Sequence, residues 1–143
     1  MATINPYLNF PGNTEKAFNF YKSVFGGEFM SVNRFRDTPE GDKLSEAEKD
    51  KIMHIALPIG KGNVLMATDA LESMGHKLIE GNNFHISIIA DSKAEADQLF
   101  SGLSSGGTVE LAMQDMFWGD YFGMCHDKFG VSWMISFNQN QPT

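Results

Sequence analysis

The chain has 143 residues, with 18 acidic against 11 basic side chains and a formal net charge of −7. A chain of this length buries about two-thirds of its unfolded surface, so it needs neither disulfide nor metal to fold. Cys125 is its one cysteine, which excludes an internal disulfide and suits a reducing, cytoplasmic compartment. The basic residues form no stripe, which speaks against a nucleic-acid partner. No apolar run approaches the roughly 18 residues of a membrane span. The opening MATINPYLNF lacks a basic segment and a long apolar core, so no signal peptide is expected.

Tyr7–Phe10 reads as a first strand, broken by Pro11 and Gly12. Thr14–Phe25 is predicted helical, because Ala17, Phe20, Tyr21 and Val24 fall at i, i+3, i+4 and i+7. Asn13 is its candidate N-cap, Glu15 sits where the helix dipole favours an anion, and Gly26 and Gly27 end it. Glu28–Arg36 reads as a second strand. The stretch 37–51 is highly charged and contains Pro39 and Gly41. It is expected to be a solvated loop, with Ser45-Glu-Ala-Glu48 capping one or two helical turns; a flap over a site is the alternative. Ile52–Ile59 and Asn63–Thr68 are predicted strands joined by the tight Gly60-Lys-Gly62 turn. Asp69 is expected to cap the turn that follows. Residues 70–83 form a linker with Gly75 and Gly81.

The second half repeats this order. Phe84–Ala90 is a predicted strand, and Ser92-Lys-Ala-Glu95 is a capping box opening a helix. Ala96, Leu99, Phe100 and Leu103 repeat the first helical stripe 79 positions later, and Gly106 and Gly107 repeat the glycine pair. Thr108–Met113, Tyr121–His126 and Val131–Phe137 are predicted strands, with Asp127 closing the turn between the last two. The polar tail Asn138–Thr143 is expected to fray. A repeat present twice is not a solenoid. The pattern implies one α+β domain of two β-α-β-β-β modules, about 4–69 and 84–137, forming a strongly curved eight-stranded mixed sheet. Each helix has one apolar stripe, so both lie on the convex face and the other face is left for a cavity.

Twelve Phe, nine Met and two Trp suffice for a core and for lining an apolar pocket. His54, between Met53 and Ile55, is either a buried hydrogen-bonded histidine or a polar group facing the cavity as donor or base. His85 carries the same two readings. His126, before Asp127 at a turn, is expected to be structural or exposed, and His76 solvated. Phe117, Trp118, Tyr121 and Phe122 surround Gly119 and Asp120, as either a core cluster or a pocket rim with one polar anchor. There is no Ser-His-Asp order, no CxxC pair and no phosphate loop.

Three groups of residues resemble the PhnB-like, glyoxalase-like branch of the vicinal oxygen chelate superfamily, which includes glyoxalases, bleomycin- and fosfomycin-resistance proteins and extradiol dioxygenases. They are Pro6-Tyr-Leu-Asn-Phe10 with Ala17, Phe20-Tyr21 and Val24-Phe-Gly26; His54 followed by Leu65-Met-Ala-Thr-Asp69; and Phe117-Trp-Gly-Asp120 with Asp127-Lys-Phe-Gly-Val-Ser-Trp133. The resemblance implies the two-module fold and a homodimer, which an edge-bearing sheet also encourages. It further implies a divalent metal held by a His at the start of each half and a Glu late in each half. Here Met66 and Met134 fall in the Glu slots, Asn5 or Pro6 in one His slot, and Phe84 or His85 in the other. Thioethers suit a soft ion at most, so no catalytic metal and no other cofactor is expected. Branch members have been labelled demethylubiquinone methyltransferases, but no glycine-rich strand-to-helix loop is present. The expected function is binding of a small, partly apolar molecule on the concave face by His54, Met66, His85, Phe117, Trp118, Tyr121 and Met134. One alternative is a lyase, isomerase or dioxygenase with an atypical metal or with His54 as general base. The other is a dimeric scaffold whose cavity is vestigial.

Overall fold

A computed structural model describes residues 2–39 and 41–138. Contacts divide the chain after Ile79 into two compact units. The eight strands accordingly form two sheets of four.

The first unit contains β1 (Tyr7–Phe10), α1 (Thr14–Phe25), β2 (Ser31–Arg34), α2 (Glu46–Lys49), β3 (Ile52–Ile59) and β4 (Asn63–Asp69). Its strand order is β1-β4-β3-β2, with β1 parallel to β4 and the other pairs antiparallel. Leu8, Phe10, Ile55, Leu57, Leu65 and Ala67 alternate along their strands and are buried, so one sheet face forms a core with α1. Ala17, Phe18 and Tyr21 bury the helix. Phe18 was not part of the predicted stripe. Its ring meets Phe10 and Tyr21 edge-on, at centroid distances of 6.4 and 5.5 Å.

The start of α1 departs from expectation. Asn13 makes no side-chain cap. The cap comes from β4: Asp69 Oδ1 accepts the Thr14 N–H at 3.0 Å, and Oδ2 accepts the Ile52 N–H at 2.8 Å. Asp69 therefore pins helix and sheet together instead of capping its own turn. Strand β2 is shorter than predicted because Phe35 turns into the core, 4% exposed, at the head of a 3-10 turn. Within 37–51, Ser45 and Glu48 form the expected reciprocal cap on α2, a single turn. His76 is exposed, as expected, and its Nδ1 also accepts the Leu71 N–H at 3.3 Å.

The second unit contains β5 (Ile86–Ile89), α3 (Lys93–Ser104), β6 (Thr108–Asp115), β7 (Asp120–His126) and β8 (Ser132–Asn138), in the order β5-β8-β7-β6. Helix α3 lies against β6, β7 and β8. Ala96, Leu103, Cys125, Trp133 and Ile135 are buried. Ser92 caps α3 as predicted, accepting the Glu95 N–H at 3.0 Å, while Glu95 reaches the Asp91 N–H at 2.9 Å. Asp127 closes the β7–β8 turn as predicted: Oδ1 accepts the Phe129 and Val131 N–H groups at 2.8 and 3.1 Å. Its Oδ2 also accepts the indole N–H of Trp133 at 2.8 Å. Gly107 passes so close to the end of β7 that a Cβ there would lie 2.1 Å from the His126 carbonyl oxygen. Asn138 belongs to β8; the rest of the tail expected to fray lies outside the described residues.

Candidate functional site

In the second unit, Cys125, Trp133 and Ile135 turn toward α3. Strand alternation therefore sends Phe122, Met124 and His126 of β7, and Ser132, Met134 and Ser136 of β8, to the opposite, open face. Register collects the polar groups in one row. Ile86 pairs with Trp133, which sets His85 level with Ser132. Ser132 pairs with His126, and His126 with Thr108. Strand β6 shifts register between Val109 and Leu111. This bulge lets both Glu110 and Leu111 face the open side, a means by which bulges re-aim side chains.

Two hydrogen bonds and one ion-pair contact join the row. Glu110 Oε1 lies 2.8 Å from His85 Nε2 and 3.1 Å from His126 Nε2. A carboxylate only accepts, so His85 Nε2 is the donor in its hydrogen bond to Glu110, while His126 Nε2 lies within ion-pair distance of the same oxygen. His126 Nδ1 is hydrogen-bonded to the Ser132 hydroxyl, 2.8 Å away. The imidazole centroids are 6.2 Å apart. The side chains of His85, Glu110 and His126 are 22%, 31% and 31% exposed, so a ligand can reach them.

The next row on this face pairs Met124 with Met134, and the one beyond pairs Phe122 with Ser136. Trp118 extends the apolar surface. Its ring meets Phe122 edge-on at 6.2 Å, and its indole N–H donates to Asp120 Oδ2 at 2.9 Å. Phe117 lies against Trp118 at 5.0 Å and is 97% exposed. Tyr121 is set apart from these residues. Alternation points it toward α3, where its hydroxyl donates to Asp97 and Lys93 lies 4.5 Å above its ring. The hydrogen bond to Asp97 is the main cause that pushes the Tyr121 phenol up to about 12. Burial, first, and then Asp127 and Glu110 push the Cys125 thiol up to about 11, so it is no nucleophile at neutral pH.

In the first unit, His54 and Met66 share the face opposite α1. Tyr7 pairs with Met66 there, and its ring centroid is 5.9 Å from that of His54. His54 Nδ1 lies 3.4 Å from Ser31 Oγ. A shallow depression of about 450 Å³ opens elsewhere, around Asn13, Glu15 and Lys51 near the start of α1.

Glu110 and His126 were not among the predicted site residues. The spacing Phe122, Met124, His126 on one strand was a signal for His126; the bulge that turns Glu110 was not. The metal pattern implied by the resemblance does not fit these residues. Asn5 spends its Oδ1 on the Val64 N–H at 2.9 Å, and the carboxylate slots hold thioethers. Among the described residues, no group of three or more His, Cys, Asp or Glu is arranged to hold a metal ion. In the second unit, Glu110 Oε1 itself stands between the two imidazole nitrogens, 2.8 Å from one and 3.1 Å from the other.

Paired β-α-β-β-β units, each with an open sheet face, define the class of small two-module α+β proteins. The chain matches the Glyoxalase/Bleomycin resistance protein/Dioxygenase superfamily over residues 3–135 and belongs to that family. It is 31% identical to Protein YjdN of Escherichia coli, over 98% of each chain. A solved structure, protein PA1353 from Pseudomonas aeruginosa, matches with a TM-score of 0.85 and 38% identity, covering 98% of this chain and 100% of that one. The PhnB protein from Bacillus cereus, titled a putative 3-demethylubiquinone-9 3-methyltransferase, shares the fold. Its TM-score is 0.75 and its identity 24%, over 95% of this chain and 99% of that one. Among the described residues, no helix is long and apolar enough to cross a membrane.

Proposed function

We propose that the chain binds a small, partly apolar molecule on the open sheet face of its second unit, without the divalent metal of its superfamily. The observation that supports this is the polar row His85–Ser132–His126–Glu110 beside the apolar surface of Met124, Met134, Phe122 and Trp118. Such a surface takes the body of a ligand, and the row takes its polar end. Covering about 150 Å² of apolar ligand surface is worth about 4 kcal/mol, a Kd on the order of 1 mM before polar contacts add to it. Titrating small aromatic compounds while following Trp118 fluorescence tests this, with Trp118→Phe identifying the reporter. Saturable quenching that Met134→Lys abolishes is the expected result; linear, unsaturable quenching rejects the reading.

A second reading makes the chain an enzyme with His54 as general base, supported by the position of His54 beside Tyr7 and Met66 on the open face of the first unit. A screen of small α-oxo compounds followed by His54→Ala on any hit tests it. Family membership supports a homodimer, for which light scattering is expected to give about twice the 15.9 kDa chain mass. The single buried, unpaired Cys125 supports a cytoplasmic setting.

A further inference from the structure

The polar row is uneven in its hydrogen-bond donors and acceptors. The ionised Glu110 carboxylate has only acceptor sites. Its Oε1 is hydrogen-bonded to His85 and lies 3.1 Å from His126 Nε2, while Oε2 accepts no hydrogen bond from any described residue. With Nε2 of His85 carrying its proton, Nδ1 of that ring presents a lone pair, and it too has no partner among the described residues. The remaining imidazole nitrogen, Nδ1 of His126, is occupied by the Ser132 hydroxyl. With both rings neutral, the strong vacant positions of the row are therefore acceptors, and its formal charge is negative.

From this we infer that the ligand of the second unit is a small amphipathic amine. Its protonated nitrogen docks on Glu110 Oε2, and its apolar body lies on Met124, Met134, Phe122 and Trp118. This inference rests on the binding role proposed above and adds the chemistry of the head group. A carboxylate or phosphate head meets an acceptor-only surface and like charge, which costs binding energy without offering a donor in return. An ammonium gains charge-assisted hydrogen bonds, stronger than neutral ones. The apolar surface suits it as well, since aromatic faces attract cations and thioethers adapt to irregular shapes. The chain's net charge of −7 adds attraction for a cation at long range. The Ser132–His126–Glu110 chain holds the carboxylate in place before the ligand arrives, so less ordering is lost on binding.

The test compares three probes of similar size on the intact protein: phenethylamine, phenethyl alcohol and hydrocinnamate. Titration is by Trp118 fluorescence, with calorimetry as the second readout, at a pH above the ordinary imidazole range. The amine is expected to bind at least about tenfold more tightly than the carboxylate, with the alcohol between them. Glu110→Gln is expected to weaken the amine about tenfold, in protein whose melting temperature confirms folding. The wild-type ranking of the three probes stands independently should that variant fail to fold. Hydrocinnamate binding as tightly as phenethylamine overturns the inference, as does an amine preference that survives Glu110→Gln. Binding of all three with equal affinity removes the head-group assignment and leaves the binding role intact. Binding of none of them rejects both.

Discussion

Replacing Asp69 with alanine tests how the first unit is held together. The carboxylate is 1% exposed and accepts two backbone N–H groups, from Thr14 at 3.0 Å and Ile52 at 2.8 Å. A hydrogen bond to a charged group contributes about 1.5–3 kcal/mol, and a buried donor left unpaired costs its desolvation. Removing both acceptors is therefore expected to cost about 3–5 kcal/mol, a third or more of the stability of an ordinary domain. Asp69→Asn keeps the shape but turns an NH₂ toward one of the two donors, so it is expected to lose about 2 kcal/mol or more. Urea unfolding gives the total, and amide hydrogen exchange at Thr14 and Ile52 localises it. Both amides are expected to exchange faster than those of α3 in the other unit. A loss under about 1 kcal/mol for Asp69→Ala, or unchanged exchange at both amides, refutes the role of the carboxylate as the tie between α1 and β3.

Tyr121 is expected to ionise near 12 when phenolate absorbance is followed against pH. Its folded value is raised, so the stability that its bond to Asp97 contributes is fully present below about 10 and is lost as pH rises through about 12; Asp97→Ala is expected to return the titration toward 10. Cys125, raised to about 11 and buried, is expected to resist a thiol-specific disulfide reagent in the folded protein and to react within seconds once urea unfolds it. Gly107→Ala is expected to cost more than about 3 kcal/mol by thermal melting, because a Cβ 2.1 Å from the His126 oxygen forces two backbone segments apart.

The architecture was legible because periodicity reports which faces are buried. Alternation in β3 and β7 and the two helical stripes set each element's core face, and the observed bounds of β1, α1 and β3 coincide with the predicted ones. Long-range substitution of one interaction for another was not legible. Asn13 has the composition of an N-cap, but Asp69, 55 positions away, reaches the Thr14 amide first. Nothing local signals that. The candidate site divides in the same way. His54 with Met66, and His85 with Met134, fall on the open faces of their units because alternation fixes them. Tyr121 falls on the other face because the aromatic run straddles the start of β7, where neighbouring rings point in opposite directions. Glu110 escaped notice because a bulge changes the phase of β6, and one inserted residue leaves no mark in the pattern of polar and apolar side chains.

The repeat also shows how one scaffold comes to carry different chemistry in its two copies. Asn5 precedes β1 by two residues and His85 precedes β5 by one, and each lies beside the strand that pairs with its own. Asn5 turns its carbonyl oxygen to the backbone of that neighbour, accepting the Val64 N–H at 2.9 Å, and so serves the fold. His85 turns its ring across the sheet to Glu110 at 2.8 Å. In the first unit, the hydrogen-bond partner of His54 among the described residues is the Ser31 hydroxyl at 3.4 Å, long for a hydrogen bond and without charge assistance. In the second, two imidazoles, a hydroxyl and a carboxylate hold one another at 2.8–3.1 Å. A group locked by its neighbours presents one geometry to a ligand, and a loosely held one presents many. Preorganisation thus favours the second unit over His54 as the centre of recognition. A ligand titration that shifts the His85 and His126 imidazole resonances while leaving those of His54 in place is the expected outcome; a shift at His54 alone moves the site to the first unit.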